Sequence, residues 1–291
     1  MALSDVIRPF LPVKAWSEPA PVVAVLPLSG VIAAGGRFRQ GLSLQGLAPR
    51  IERAFKTKHL AAVALAINSP GGSPVQSALI AGRIRELAAE KEVPVVAFIE
   101  DVGASGGYWL ACAADEIIAQ PSSIVGSIGV ISGGFGFTEM IAKLGIERRM
   151  HTAGDKKGML DPFSPEKAAD VKHLKALQAD LHEDFKEMVR TSRGDKLKGA
   201  EKTLFSGAFW TGRKALDMGL VDGLGALRLV MRERFGENVR LRLIDERRSW
   251  LRRRFAAVSS GDSGSRDFGF DLAGGLVQAV EERLWWNRFG L

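Results

Sequence analysis

The chain predicts an α/β domain built on a largely parallel sheet. Runs of consecutive apolar residues at 60–67 and 95–99 have the pattern of strands buried on both faces. Segments with apolar residues at helical spacing alternate with them, the order expected of parallel strands joined by helical crossovers. Hydrophobic residues make up 46% of the 291 and charged residues 25%, so a sizeable core is available. The length admits one large domain or two small ones.

Residues 1–20 are interrupted by Pro9, Pro12 and Pro19 and predict an irregular arm. A first strand is expected over 21–28, a helix over 44–58 and the buried strand over 60–67. Pro74 suits the first position of a helix running to residue 91, and the strand 95–99 follows. A helix over 108–114, a strand over 116–119 and a glycine-rich stretch over 126–134 come next. Residues 138–144 predict a short helix and 146–152 another strand. Ser164-Pro165-Glu166 has the serine cap, early proline and early acid of a helix start, so a long helix is expected from there to about residue 193. Leu174, Leu177, Leu181, Phe185, Met188 and Val189 give it an apolar stripe. Two short helices are expected within 198–225.

The character changes at residue 236. Residues 259–265, Ser-Ser-Gly-Asp-Ser-Gly-Ser, have the composition of a flexible linker. Beyond it, 272–286 is amphipathic, with Leu276, Val277, Val280, Leu284 and Trp285 on or near one face. Docking on its own domain is the default for such a tail; a partner subunit or a membrane surface are the alternatives. The division expected is an arm (1–20), a main domain (21–235) and a basic, partly flexible C-terminal tail (236–291).

The formal net charge of +7 is spread along the chain except at Arg247, Arg248, Arg252, Arg253 and Arg254. A solvated helix end is favoured there over a phosphate-binding patch. No aromatic-interleaved groove, RNP-type motif or zinc knuckle accompanies it, so no nucleic-acid partner is expected. The lone Cys112 excludes an intrachain disulfide framework and a cysteine metal cluster, and its small apolar neighbours predict a buried structural thiol. Asp5, Arg8, Pro9 and Pro12 break any secretory leader, and the longest apolar runs have about a third of a bilayer-spanning length. A soluble cytoplasmic chain is expected, with the tail as its only route to a membrane surface.

The chemistry concentrates at Val102-Gly103-Ala104-Ser105-Gly106-Gly107-Tyr108-Trp109, between a strand and a helix. A serine at such a turn exposes its hydroxyl, and the following N–H of Gly106 can face a developing oxyanion. An incidental serine in a glycine-rich turn is the plain alternative. A second glycine-rich turn, Asn68-Ser69-Pro70-Gly71-Gly72-Ser73, can supply another donor at a helix start. It lacks the Gly-Lys end of a phosphate-binding loop.

A serine nucleophile needs a base. Gly103 to Gly107 formally fits G-x-S-x-G, which calls for a downstream acid and then a histidine. His173 and His182 sit in the long helix among surface-type neighbours, His151 lacks an acid in the right order, and His59 lies upstream. His182-Glu183 does not complete a zinc motif, because Lys186 stands where the second histidine belongs. Lysine is the other base, effective once burial or a neighbouring cation lowers its pKa. Lys156 and Lys157 lie in a turn after Gly154-Asp155, where solvated loop lysines are the ordinary reading.

Taken in order, residues 68–73, 104–109, 126–130, 154–157, Asp161-Pro162-Phe163, Thr211 to Ala215 and Gly219 to Asp222 resemble the signal peptide peptidase A family, the S49 serine peptidases, in their short single-domain form. The resemblance covers about residues 22–235. It implies a ClpP/crotonase-like fold and a Ser-Lys dyad without cofactor or metal. Ser105 is then the nucleophile and Lys157 the general base, preferred to Lys156 because the family's lysine follows a glycine by three residues. Ser127 orients the lysine, and the Gly72 and Gly106 N–H groups form the oxyanion hole. The implied substrates are short apolar peptides such as signal-peptide remnants. The implied assembly is a homo-oligomer whose subunits share active sites. This chain departs from the family in showing no N-terminal anchor and only one copy of each motif. The rival expectations are a Ser-His-Asp esterase, a crotonase-like acyl-CoA enzyme, and a catalytically silent scaffold that binds membrane or protein partners.

Overall fold

The computed structural model describes residues 19–34, 41–245 and 283–290. The elements run β1 (Val22–Ser29), α1 (Leu44–Phe55), β2 (Leu60–Ser69), α2 (Pro74–Lys91), β3 (Val95–Ala104), α3 (Gly106–Ala111), β4 (Glu116–Ala119) and β5 (Ile124–Gly126). They continue with α4 (Thr138–Lys143), α5 (Ala168–Arg193), a 3₁₀ turn at Gly194–Lys196, α6 (Glu201–Leu204), β6 (Phe209–Thr211), α7 (Gly212–Asp217), β7 (Gly223–Leu224), α8 (Leu227–Phe235) and β8 (Arg240–Leu243). The strands form one eight-stranded sheet in the order β6-β5-β3-β2-β1-β8, with β4 branching from β3 and pairing β7. Every pair is parallel except β5 with β6.

Alternation along the central strands explains the two layers of the core. Leu26, Leu28, Leu65 and Ile67 face one side and pack with Leu47 and Ile51 of α1 and Ile80 and Ile84 of α2. Val23, Val25, Ala62, Ala64, Val96 and Phe98 face the other and meet Met231 of α8. Covering both faces is what a parallel sheet requires. Ser43 and Ser73 cap α1 and α2, their hydroxyls accepting from Gly46 N at 3.3 Å and Gln76 N at 3.4 Å.

β3 positions the serine turn. Its first half, Val96 to Ile99, pairs with β4, and its last residues, Val102 to Ala104, pair with β5. β2 flanks it throughout on the other side, from Val63↔Val95 to Ser69↔Gly103. The strand therefore runs to Ala104, five residues beyond the apolar run that announces it.

Several expectations need correction. Residues 146–152 form no strand, because no described strand lies beside them to pair with; Ile146 and Met150 are exposed and Arg148 turns to Asp161. The long helix starts at Ala168 rather than Ser164. Ser164 is drawn backwards into a turn, its hydroxyl donating to Asp161 Oδ2 at 3.0 Å and its N–H to Asp161 O at 3.1 Å. Of the α5 stripe only Phe185 and Val189 are buried, while Leu177 and Leu181 are 46% and 38% exposed. No residue from 129 to 184 is buried. The sheet also continues past residue 235, since β8 pairs with β1. The N-terminal arm through residue 18, the arginine cluster at 247–254, the linker at 259–265 and most of the 272–286 segment lie outside the described residues. Among those described, no helix is long and apolar enough to cross a membrane.

Candidate active site

Ser105 sits at the junction of β3 and α3 with φ 53° and ψ −124°, a backbone conformation unusual for a residue with a Cβ. Two bonds hold it there. Its N–H donates to Gly126 O at 2.8 Å, continuing the β3–β5 pairing, and its carbonyl accepts from Trp109 N at 3.0 Å to open α3. The hydroxyl makes no capping bond to the helix.

The Ser69–Ser73 turn lies against this corner. A Cβ on Gly71 would fall 2.7 Å from Ser105 Cβ and 2.8 Å from Gly106 N, and one on Gly72 would fall 2.0 Å from Ile32 O. Both glycines have positive φ, so the turn requires them on conformational as well as steric grounds. Ile32 bridges Gly72 by donating to Gly71 O at 2.8 Å and accepting from Ser73 N at 2.7 Å. That pattern turns the N–H of Gly72 away from Ile32. Gly71 N–H is taken by Ser69 Oγ at 3.2 Å, and Ser69 Oγ donates to Gly30 O at 2.7 Å. Gly106, as the first residue of α3, carries an N–H with no intrahelical acceptor.

Gly72, Pro74, Ser105 and Ser127 line a cleft of about 430 Å³ together with Gly129, Val130, Ile131, His182, Ser206, Gly207, Trp285 and Arg288. Ser127 is buried, has φ 53°, and is fixed by donation from its N–H to Ala208 O at 2.7 Å. The structure thus brings together Ser105, Ser127 and the Gly72 and Gly106 backbone. Lys157 does not line this cleft. It lies exposed in the turn after Gly154, its N–H donating to Gly154 O at 3.1 Å, with Lys156 exposed beside it.

His182, which the sequence places on a helix surface, instead reaches the cleft wall with Nε2 3.2 Å from Ile128 O. Its helix is pressed against the serine corner. Phe185 stacks on Trp109 of α3 at 4.9 Å, and Arg193 grips Asp222 through Nη1 at 2.7 Å and Nη2 at 2.9 Å. Burial alone would raise the Asp222 carboxyl, but the bonds from Arg193, Lys196 and the Ile117 N–H outweigh it and bring it down to about 2. Tyr108, fully buried behind Ser105, donates to Leu220 O at 2.7 Å, and burial holds its phenol well above the ordinary range. Cys112 is pushed up to about 12 by the same burial, which keeps it a neutral thiol as its apolar setting predicts.

Trp285 and Arg288 reach the cleft from the far C-terminus, where residues 283–287 are helical. Phe289 is the anchor, buried against Val102 and Ala104 of β3 and edge-on to Phe209 at 5.1 Å. This segment docks on its own domain. Leu284, expected on the apolar face of the 272–286 segment, is 60% exposed, and the anchor Phe289 lies beyond that segment.

Residues 88–237 match the family model of peptidase family S49. Over 92% of its length the chain is 50% identical to a Brucella abortus protein called a Na(+)/H(+) antiporter, of which it spans 37%. A putative protease of Synechocystis is 30% identical over 70% of this chain and 69% of that protein. The chloroplastic serine protease SPPA of Arabidopsis thaliana is 32% identical over 68% of this chain and 30% of that protein. With the matched segment holding Ser105, Ser127, Lys157 and Asp222, the chain belongs to peptidase family S49.

Proposed function

We propose that this chain is a serine endopeptidase with a ClpP/crotonase-like fold, in which Ser105 and Lys157 form a dyad completed between neighbouring subunits of a homo-oligomer. Its substrates are short apolar peptides such as signal-peptide remnants. The observation that carries the reading is the strained Ser105, its hydroxyl uncapped, facing a turn whose Gly72 N–H is directed away from its bridging strand. The forked sheet around β3 supports the fold assignment. The exposed position of Lys157, on a stretch with no buried residue, supports its delivery to another subunit.

In this reading Lys157 Nζ takes the Ser105 proton as Oγ attacks the scissile carbonyl. The oxyanion forms against the Gly72 and Gly106 N–H groups, donors fixed before reaction begins. Ser127 holds the lysine in line. The protonated lysine then releases its proton to the leaving amine as the C–N bond breaks, leaving an ester on Oγ. A water molecule, deprotonated in turn by the lysine, attacks the ester carbonyl; the C–O bond breaks and the proton returns to Oγ.

A second reading uses His182 as the base within one chain, favoured by its place on the cleft wall. The two separate cleanly. Under the dyad, Ser105→Ala and Lys157→Ala each reduce peptide hydrolysis on the order of 10⁴-fold, and mixing the two inactive proteins before assembly restores activity. Activity that survives Lys157→Ala but not His182→Ala selects the histidine instead. Failure of wild type to react with a neutral phosphonate serine probe removes both.

A further inference from the structure

The cleft beside Ser105 is asymmetric in charge. Its apolar wall is Val130, Ile131 and Trp285, its ionisable side chains are His182 and Arg288, and no carboxylate lines it among the described residues. Arg288 is exposed, and its guanidinium stands 5.8 Å over the ring of Phe289 rather than in an ion pair among the described residues. A guanidinium in that state presents a planar fork of donors, matched in geometry to a carboxylate.

The position of Arg288 is built rather than incidental. Phe289 is only 9% exposed and packs on Val102 and Ala104, the last strand residues before the serine. It also meets Phe209, which follows Ser206 and Gly207 of the opposite cleft wall. Trp286 and Ile124 close the sides of this anchor. The N–H of Phe289 donates to Trp286 O at 2.9 Å and that of Gly290 to Asn287 O at 3.0 Å, so the chain turns tightly around it. One aromatic side chain therefore ties the two walls of the cleft to the helix that carries Trp285 and the turn that carries Arg288.

We infer that Arg288 is a specificity-determining residue that selects peptides presenting a carboxylate beside the scissile bond, with Trp285 packing against their apolar part. The inference rests on the peptidase reading of Ser105. The carboxylate has two sources, the free C-terminus of a short peptide or an Asp or Glu side chain.

The test uses the full-length protein and peptides identical at the scissile bond. One pair differs by a free or amidated C-terminus, the other by Glu or Gln near the cleavage point. Wild type should favour the carboxylate member of at least one pair by about fivefold in KM, the pair affected naming the source. In Arg288→Gln the ratio should fall to near one, in Arg288→Lys it should be partly kept, and in Phe289→Ala it should collapse as in Arg288→Gln. The preference should also weaken with added salt. Equal use of both members by wild type, or a preference that persists in Arg288→Gln, overturns the inference. Labelling of wild type by a neutral phosphonate probe tests the peptidase reading separately. Should no hydrolysis occur, affinities of the same peptides for Ser105→Ala, compared with Ser105→Ala/Arg288→Gln, decide the carboxylate preference on their own.

Discussion

Ser105 stores backbone strain at the point where the proposed mechanism uses its hydroxyl. A non-glycine residue at φ 53° and ψ −124° costs on the order of 1–3 kcal/mol, and it persists because bonds to Gly126 and Trp109 hold both ends. Ser105→Ala removes the hydroxyl and keeps the strain, whereas Ser105→Gly removes both. Ser105→Gly should therefore be more stable than Ser105→Ala by about 1 kcal/mol, read as a higher melting temperature, with both inactive. Equal melting temperatures would show that the corner is unstrained. The turn that carries Ser105 is legible in the sequence because its small residues gather directly after an apolar strand-like run and before a helix-compatible segment. His182 and Arg288 are not legible, since a ring on one helix and a guanidinium near the chain end reach the cleft only through tertiary packing.

Among the elements, the stretch from 129 to 184 behaves unlike the rest. Phe135 is 77% exposed and Leu144 65%, and α4 has no buried residue at all. Phe135, Phe137 and Phe163 cluster with one another rather than with the sheet. Exposed apolar side chains gathered in this way mark an interaction site. Under the proposed assembly, Phe135→Asp with Leu144→Asp should shift the particle toward monomer and lower peptide hydrolysis, with helix content retained. Light scattering and circular dichroism on one sample check this, and an unchanged particle size would place the interface elsewhere. The same stretch explains what pattern-reading lost. The 146–152 run, Ile-Glu-Arg-Arg-Met-His-Thr, has no neighbouring strand among the described residues, and the first half of the α5 stripe has no core to enter. β1, β2, β3 and α2 were legible because their apolar residues are buried within this chain. β8, with arginine at two of its four positions, gives no apolar run to read, yet it pairs with β1.

At the scale of the whole molecule, one charge cluster ties the end of the long helix to the sheet. The Asp222 carboxylate pairs with Arg193 and Lys196 and accepts from the Ile117 N–H of β4 at 2.8 Å. Its carboxyl falls from the ordinary 3.8 to about 2 in the folded protein. Folding thus favours the ionised form, and this contribution is complete above about pH 4 and lost progressively as pH falls toward 2. Acid unfolding of wild type should steepen in that window. Asp222→Asn should flatten it and also destabilise the protein at neutral pH by about 3 kcal/mol, because Arg193 stays buried without its partner. Chemical denaturation from pH 2 to 7 measures both effects, and parallel curves for the two proteins would count against the assignment.

The double pairing of β3 also divides the molecule by rigidity. Ser105 follows a strand held by β2 on one side and by β4 and then β5 on the other, so its N–H should exchange only when the sheet itself unfolds. The residues proposed to work with it belong to parts with little burial: Lys157 to the 129–184 stretch and Arg288 to the turn after a short helix, held chiefly by one phenylalanine. The proposed nucleophile and oxyanion donors are thus set by global folding, whereas the proposed base and substrate selector are set by weaker, local equilibria. Temperature or dilution should silence the chain long before it melts.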